Sequence, residues 1–146
     1  MSREISDRDY DCMVSVHNLT SSGWPARVRD IAENMNVKPP TAVEFLERLT
    51  SMSLVEKGTT GYRVSEKGAR LLDKVTRAHR LFETLLFRAG IPREKACKIS
   101  SSIDRRLDDW AMTEICTQLK HPETCPHGIP IPPGDSRDHQ IVYALK

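Results

Sequence analysis

The chain has 146 residues, 38% apolar and 29% charged, with 7 Gly, 9 Pro and a formal net charge of +2. That length gives one compact domain or two small lobes sharing a core, excludes a second large domain, and the composition is neither disordered nor fibrous. A charge so near zero makes no case for nucleic acid by itself; no run reaches the ~18 apolar residues of a membrane span, and MSREISDRDYDC lacks a signal core, so a cytoplasmic protein without membrane attachment is expected.

Tyr10, Met13, Val14 and His17 recur at three- and four-residue spacing and predict a helix from about Asp7 to Asn18, ended by Ser21, Ser22, Gly23 and Pro25. Val28, Ile31, Ala32 and Met35 predict a short second helix closing at Asn36-Val37, where Asn36 suits a left-handed turn. Pro39-Pro40-Thr41 opens a third, with Val43, Leu46, Leu49 and Met52 expected on its inner face. Two short helices about a tight turn describe a helix-turn-helix. Leu54 to Lys57 and Tyr62 to Val64 are β-prone runs around a Gly58-Thr59-Thr60-Gly61 tip, which makes them a hairpin and, beside a helix-turn-helix, a wing.

From Glu66 a long helix is expected to about Ala89, with a stripe of Leu71, Val75, Ala78, Phe82, Leu85 and Ala89, stopped by Gly90. Pro92 begins another through Ala96, Ile99 and Ile103, and Leu107, Trp110, Ala111, Ile115 and Leu119 continue an apolar face to Lys120. So small a lobe cannot hide these stripes, so a second copy is the expected cover. The Pro-rich remainder, with an apolar run at 141–145, reads as a tail that docks. The expected fold is mainly α: a winged helix-turn-helix DNA-binding domain at 1–66, a helical dimerisation and metal-binding domain at 67–122, and the tail at 123–146.

Three stretches in series, ARVRDIAENMNVKPPTAVEFLERLTSMSLVEK at 26–57, VTRAHRLFETLL at 75–86 and CPHGIPIP at 125–132, resemble the DtxR/MntR family of metal-dependent transcriptional repressors, from about residue 6 to residue 132. The resemblance implies a homodimer on palindromic double-stranded operators of metal-uptake genes, activated by ferrous iron or manganese. The chain's 146 residues leave no room for the C-terminal SH3-like domain that many members carry.

The resemblance puts His79 and Glu83 in one metal site, joined by Cys125 and His127. Chemistry agrees, because residues four apart on a helix share a face and Cys-Pro-His offers two further ligands. A second family site is matched by Asp9 and by Cys97, with Cys12 one turn beyond Asp9 on the same face. Its Glu and His appear as Ser100 and Ser101, and an upstream His as Arg93, so weaker occupancy is expected there. Thiolate and imidazole donors favour Fe(II), Zn(II), Co(II) or Ni(II) over Mn(II), with Fe(II) the expected ion in the cell. Metal is expected to act by aligning the DNA-reading and dimerisation halves.

DNA would be met by Lys38, Pro40, Thr41, Val43, Glu44 and Arg48 of the recognition helix, by Lys57, Thr59, Thr60 and Arg63 of the wing, and by Arg27 and Arg29 at the entry helix. Two other readings stay open at this level. Cys12, Cys97, Cys116 and Cys125 could hold an iron–sulfur or redox centre, or Cys116, His121, Cys125 and His127 a structural zinc. An enzyme is not expected, since the chain has no Gly-rich phosphate loop, nucleophile elbow or HExxH motif.

Overall fold

A computed structural model describes residues 4–134 of the chain. The apolar run at 141–145, expected to dock, lies outside the described residues. Six α-helices, one 3-10 turn and one two-stranded antiparallel sheet are present among the described residues, and the chain divides into two compact units, Met1–Leu72 and Asp73–Lys146. No helix among the described residues is long and apolar enough to cross a membrane.

The first unit is built from α1 (Asp7–Leu19), α2 (Val28–Met35), α3 (Pro39–Ser51), β1 (Val55–Lys57) and β2 (Tyr62–Val64), with α4 (Glu66–Arg88) beginning in it. The Ser6 hydroxyl caps α1 by accepting from the Asp9 amide at 3.1 Å, satisfying one of the amides a helix start leaves open. Asn36 ends α2 at φ 53, ψ 48, the left-handed conformation that turns the chain into α3. Pro39 and Pro40 begin α3, where a missing N–H breaks no helical bond. Met13, Val16, Ile31, Leu46 and Leu49 are all fully enclosed and knit the three helices, each burial worth roughly 1.5–3 kcal/mol.

The wing hairpin pairs Val55 with Val64 and Lys57 with Tyr62, and Ala26 extends the ladder by exchanging two backbone bonds with Tyr62 at 2.9 and 2.8 Å. A Cβ on Gly61 would stand 2.5 Å from the Ala26 carbonyl oxygen, so only glycine fits this close approach. Ser65 then caps α4, donating to the Ser53 carbonyl at 2.6 Å and accepting from the Gly68 amide at 3.0 Å.

In the second unit, Ala78 and Leu81 of α4 pack on Met112, Cys116 and Leu119, brought by α6 (Asp109–Gln118) and its C-cap. Between them run α5 (Arg93–Ile103) and the 3-10 turn Asp104–Arg106. Asp108 caps α6 by accepting from the amides of Trp110 and Ala111 at 2.9 and 3.2 Å. Beyond α6 the chain forms a tight turn, the Gly128 amide donating to the Cys125 carbonyl at 2.8 Å and the Cys125 amide to that of Ile129 at 2.9 Å.

Several faces are rotated from those expected. His17 is exposed, and Asp9 and Cys12 stand on the buried side of α1 with Tyr10 and Met13. On α3, Ala42 and Phe45 go inside while Val43 and Met52 stay half-buried. On α4, Leu81 is fully enclosed, Leu71, Val75, Phe82 and Leu85 are half-buried and Ala89 is exposed. Of the expected apolar face from Leu107 to Leu119, Leu119 is buried and Leu107 and Ile115 pack against the same cluster, but Trp110 is 70% exposed, and Met112 and Cys116 take inner positions not expected. On α3, α4 and α6 neighbouring stripes are both apolar, and the tertiary neighbours decide between them, whereas on α1 the expected Tyr10 and Met13 are buried and His17 departs.

Candidate metal centre and DNA-facing surface

All the described residues whose metal-binding donor atoms converge in threes lie in the second unit, and both triads share Glu83. The first is His79, Glu83 and Cys97; the second is Glu83, Cys125 and His127, the donor atoms of each lying within 4.8 Å of one another. His79 and Glu83 sit one turn apart on α4, with His79 Nε2 3.8 Å from Glu83 Oε2. Cys97, on α5, places Sγ 3.7 Å from the same Nε2. The turn after α6 delivers buried Cys125 and brings His127 Nδ1 to 2.5 Å from Glu83 Oε1.

Glu83 is 1% exposed, and its Oε1 has no hydrogen-bond partner in the structure. The His127 ring nitrogen lies against that oxygen but out of hydrogen-bond alignment, so contact is made without a directed bond. Burying a carboxylate costs several kcal/mol unless donors or a cation compensate it. The expected set of His79, Glu83, Cys125 and His127 does not close as one group: His79 converges with Glu83 and Cys97 on the Oε2 side, Cys125 and His127 with Glu83 on the Oε1 side, and an imidazole, a thiol and a shared carboxylate in each triad fit a divalent ion of borderline softness. Burial, reinforced by the negative charge of Glu83, Glu94 and Cys125, pushes the Cys97 thiol above its ordinary range. Without a cation this thiol keeps its proton.

Outside these triads, each histidine meets a further carboxylate. His79 Nδ1 is 3.2 Å from Asp104 Oδ2, and His127 Nε2 is 3.3 Å from Glu94 Oε1. The bond from His127, helped by Arg93, holds the Glu94 carboxyl below the usual carboxylate range. Neither Asp104 nor Glu94 was a sequence candidate; Asp104 lies 25 residues from its partner and no local motif connects the two.

Asp9 and Cys12 occur in no converging group among the described residues. Asp9 is 5% exposed, and its Oδ1 accepts from Arg48 Nε and faces Arg48 Nη2, both at 3.0 Å, while Oδ2 accepts from Ser6 at 2.6 Å. Cys12 is fully enclosed, its thiol pushed up to about 12 by burial and by the charge of Asp9, partly opposed by Arg48. Cys97, expected in their company, converges instead with His79 and Glu83. The hydroxyls of Ser100 and Ser101 turn back onto carbonyls of their own helix, at 2.8 and 3.1 Å. The cluster and zinc readings meet a similar outcome: Cys116 Sγ is 3.5 Å from His121 Nδ1, but no converging triad among the described residues contains Cys116 or His121.

On the first unit, Arg27, Arg29, Lys38, Pro40, Glu44, Lys57, Thr59, Thr60 and Arg63 are exposed, and Thr41 and Val43 half-exposed. Arg29 pairs with Glu33 at 3.2 Å, and Arg63 donates to the Gly23 carbonyl at 2.6 Å. Arg48 differs from these, since its guanidinium lies over the Phe45 ring, 5.0 Å from the centroid, and is held by Asp9. A shallow groove of about 640 Å³ runs between the wing and α3, and Glu47, Thr50 and Ser51, none of them sequence candidates, help to line it.

Two family models match the chain: residues 11–63 fit the iron dependent repressor N-terminal DNA binding domain, and residues 65–133 the iron dependent repressor metal binding and dimerisation domain. An uncharacterized HTH-type transcriptional regulator of Aeropyrum pernix is 31% identical over 130 residues, 86% of this chain and 71% of that protein. The iron-dependent repressor IdeR of Mycobacterium tuberculosis is 31% identical over 140 residues, 88% of this chain, which spans 57% of that repressor's length. The crystal structure of a hypothetical protein from Sulfolobus solfataricus superimposes with a TM-score of 0.84 at 28% identity, over 88% of this chain and all of that one. With a DNA-binding model on its first unit, a metal-binding and dimerisation model on its second, and these relatives, the chain belongs to the iron-dependent repressor family of transcriptional regulators.

Proposed function

We propose that this protein is a cytoplasmic, metal-dependent repressor that binds palindromic operators of metal-homeostasis genes as a homodimer, with ferrous iron as the activating ion and zinc, cobalt, nickel or manganese as competitors. The observation that carries the metal is Glu83, a buried carboxylate without a directed donor on Oε1, shared by two triads of imidazole and thiol donors. When bound, the ion would supply the positive charge that this pocket lacks and draw Cys97 and Cys125 toward their thiolates. His79 and His127 offer ring nitrogens, and Cys125 a buried thiol.

The DNA-reading part is assigned to 1–66, dimerisation and metal binding to 67–122, and the tail to 123–146. Arg27, Arg29, Lys38, Lys57 and Arg63 are exposed cations suited to phosphates, while Thr41, Val43 and Glu44 would meet base edges. The half-buried stripe Leu71, Val75, Phe82 and Leu85 supports a second copy as its cover. Repression follows if metal favours the form that binds DNA.

The test is operator selection with the purified chain, run with chelator and with each divalent ion in turn. A palindrome enriched only when metal is present supports the reading. Selection that is indifferent to every ion, or that enriches nothing, overturns it.

A further inference from the structure

The α5 helix brings more to the proposed metal centre than a thiol. Cys97 and Asp104 are seven residues apart, two helical turns, and the Asp104 amide still donates to the Ser100 carbonyl, so helical bonding carries through to the 3-10 turn. The two side chains therefore bracket one ring: Cys97 Sγ lies 3.7 Å from His79 Nε2 and Asp104 Oδ2 lies 3.2 Å from His79 Nδ1. Asp104 is largely enclosed, its side chain 14% exposed, so water competes weakly for this bond.

A carboxylate can only accept a hydrogen bond, so the nitrogen facing it must carry the proton. A neutral His79 is thereby held as the Nδ1–H tautomer, which leaves the Nε2 lone pair turned toward Cys97 and Glu83, where an ion would sit. The opposite tautomer would face the site with an N–H, which cannot ligate, and would remove the hydrogen bond between His79 and Asp104. Glu94 stands one turn before Cys97 and backs His127 in the same manner, but its side chain is 76% exposed. Solvent can replace it there.

We propose that Asp104 is a positioning residue of the metal centre, fixing the tautomer and orientation of His79 before any ion arrives. This rests on the metal-site reading above. Outer partners of ligating histidines typically change metal affinity by about 10–100-fold when removed. The sequence separation between them gives no hint of the pair, which arises because α5 and the following turn pass alongside α4.

The experiment uses the full chain as wild type, Asp104→Ala, Asp104→Asn and Glu94→Gln. Imidazole ¹⁵N shifts are recorded on metal-free protein at roughly pH 8, where an unperturbed imidazole is neutral, with His79→Ala identifying the signals. Zn(II) affinity is then measured by competition with a chromophoric chelator. The wild type should show the Nδ1–H pattern at His79. Asp104→Asn, whose amide can donate to Nδ1, and Asp104→Ala should both lose that pattern and bind Zn(II) about 10–100-fold more weakly, Glu94→Gln falling less. Should the alanine variant fail to fold, Asp104→Leu, of similar size and with neither donor nor acceptor, carries the test in its place. An unchanged His79 pattern, or Zn(II) affinity within about twofold of wild type, overturns the role of Asp104 while leaving the metal site intact. A wild type that binds no Zn(II) overturns the metal-site reading itself and this role with it.

Discussion

Among the described residues, each unit of the molecule buries one carboxylate in its interior, and the two are treated in opposite ways. Asp9 in the first unit is 5% exposed and Glu83 in the second is 1% exposed. Asp9 has its compensation built in, with Arg48 on one oxygen and the Ser6 hydroxyl on the other. Glu83 has a histidine in contact but an oxygen with no directed donor, surrounded by groups that are ligands before they are donors. The buried carboxylate of the winged-helix unit is thus paired within the protein, whereas on the proposed reading that of the second unit is completed by a bound cation. A family resemblance would assign metal to both carboxylates; their neighbours separate them.

The largest expected effect tests what the first unit does with its outward charge. If Arg48 is committed to Asp9, five exposed cations per subunit remain, Arg27, Arg29, Lys38, Lys57 and Arg63. A dimer using them twice would neutralise roughly 6 to 10 phosphates and lose about 10³ to 10⁵ in affinity between 50 and 200 mM salt. Fluorescence anisotropy with the selected operator across that range checks this, and a flat profile would remove DNA as the ligand of this surface.

Next in size is the loss of metal when the hub of the two triads is neutralised. Glu83→Gln keeps the shape and removes the charge, and should weaken Zn(II) by more than about 100-fold, beyond the range typical of outer-shell changes. Asp9→Asn should leave Zn(II) affinity within a few-fold of wild type, because Asp9 is occupied by Arg48. Calorimetric titration of the two variants decides between them; a reversed order would mean that Asp9, not Glu83, is the buried carboxylate that needs an ion.

Metal should also be visible as stability. An ion that binds only the native form adds about 2.7 kcal/mol at a hundredfold excess over Kd. For a chain of this size that is a rise in Tm of roughly 5–11 °C, given about 2–4 °C per kcal/mol. Differential scanning calorimetry with Zn(II) and with chelator measures it, and Glu83→Gln should abolish the rise while Asp9→Asn preserves it. Equal responses in the two variants would erase the distinction between the units.

The helices, the wing and the left-handed Asn36 were legible because their signals are local: spacing, Pro at a helix start, Gly at a hairpin tip. Which stripe of α3 or α4 turns inward was not, since Val43 against Phe45, or Phe82 against Leu81, is decided by what packs across from them. The metal candidates His79, Glu83, Cys125 and His127 could be named from short motifs. The company of Cys97 could not, because Ser100 and Ser101 in place of ligands say only what one site lacks, and the geometry of α5 supplies the rest. The commitment of Arg48 to Asp9, 39 residues away, was equally invisible, and it changes the reading of both residues at once. Long-range ion pairs leave no periodic trace in a sequence.

The smallest expected effect is also the one whose sign separates the two carboxylates most cleanly. In metal-free protein, Asp9→Asn removes a charge that Arg48 and Ser6 satisfy. Charge-assisted hydrogen bonds contribute about 1.5–3 kcal/mol, and because the Arg48 side chain is 40% exposed the expected loss is nearer the lower end, about 1–2 kcal/mol. Glu83→Gln removes a charge that has two histidine rings in contact but no directed donor on Oε1, exchanging a weakly compensated ion for a neutral amide of the same shape. Its cost in the absence of metal should be near zero, or the variant should be slightly more stable than wild type, since an unpaired buried charge is the costliest state of such a site. Urea denaturation with chelator present measures both, provided the m-values agree so that each transition is comparable. A Glu83→Gln variant destabilised as much as Asp9→Asn would mean that Glu83 is compensated by the protein alone and that the second unit is as complete without an ion as the first.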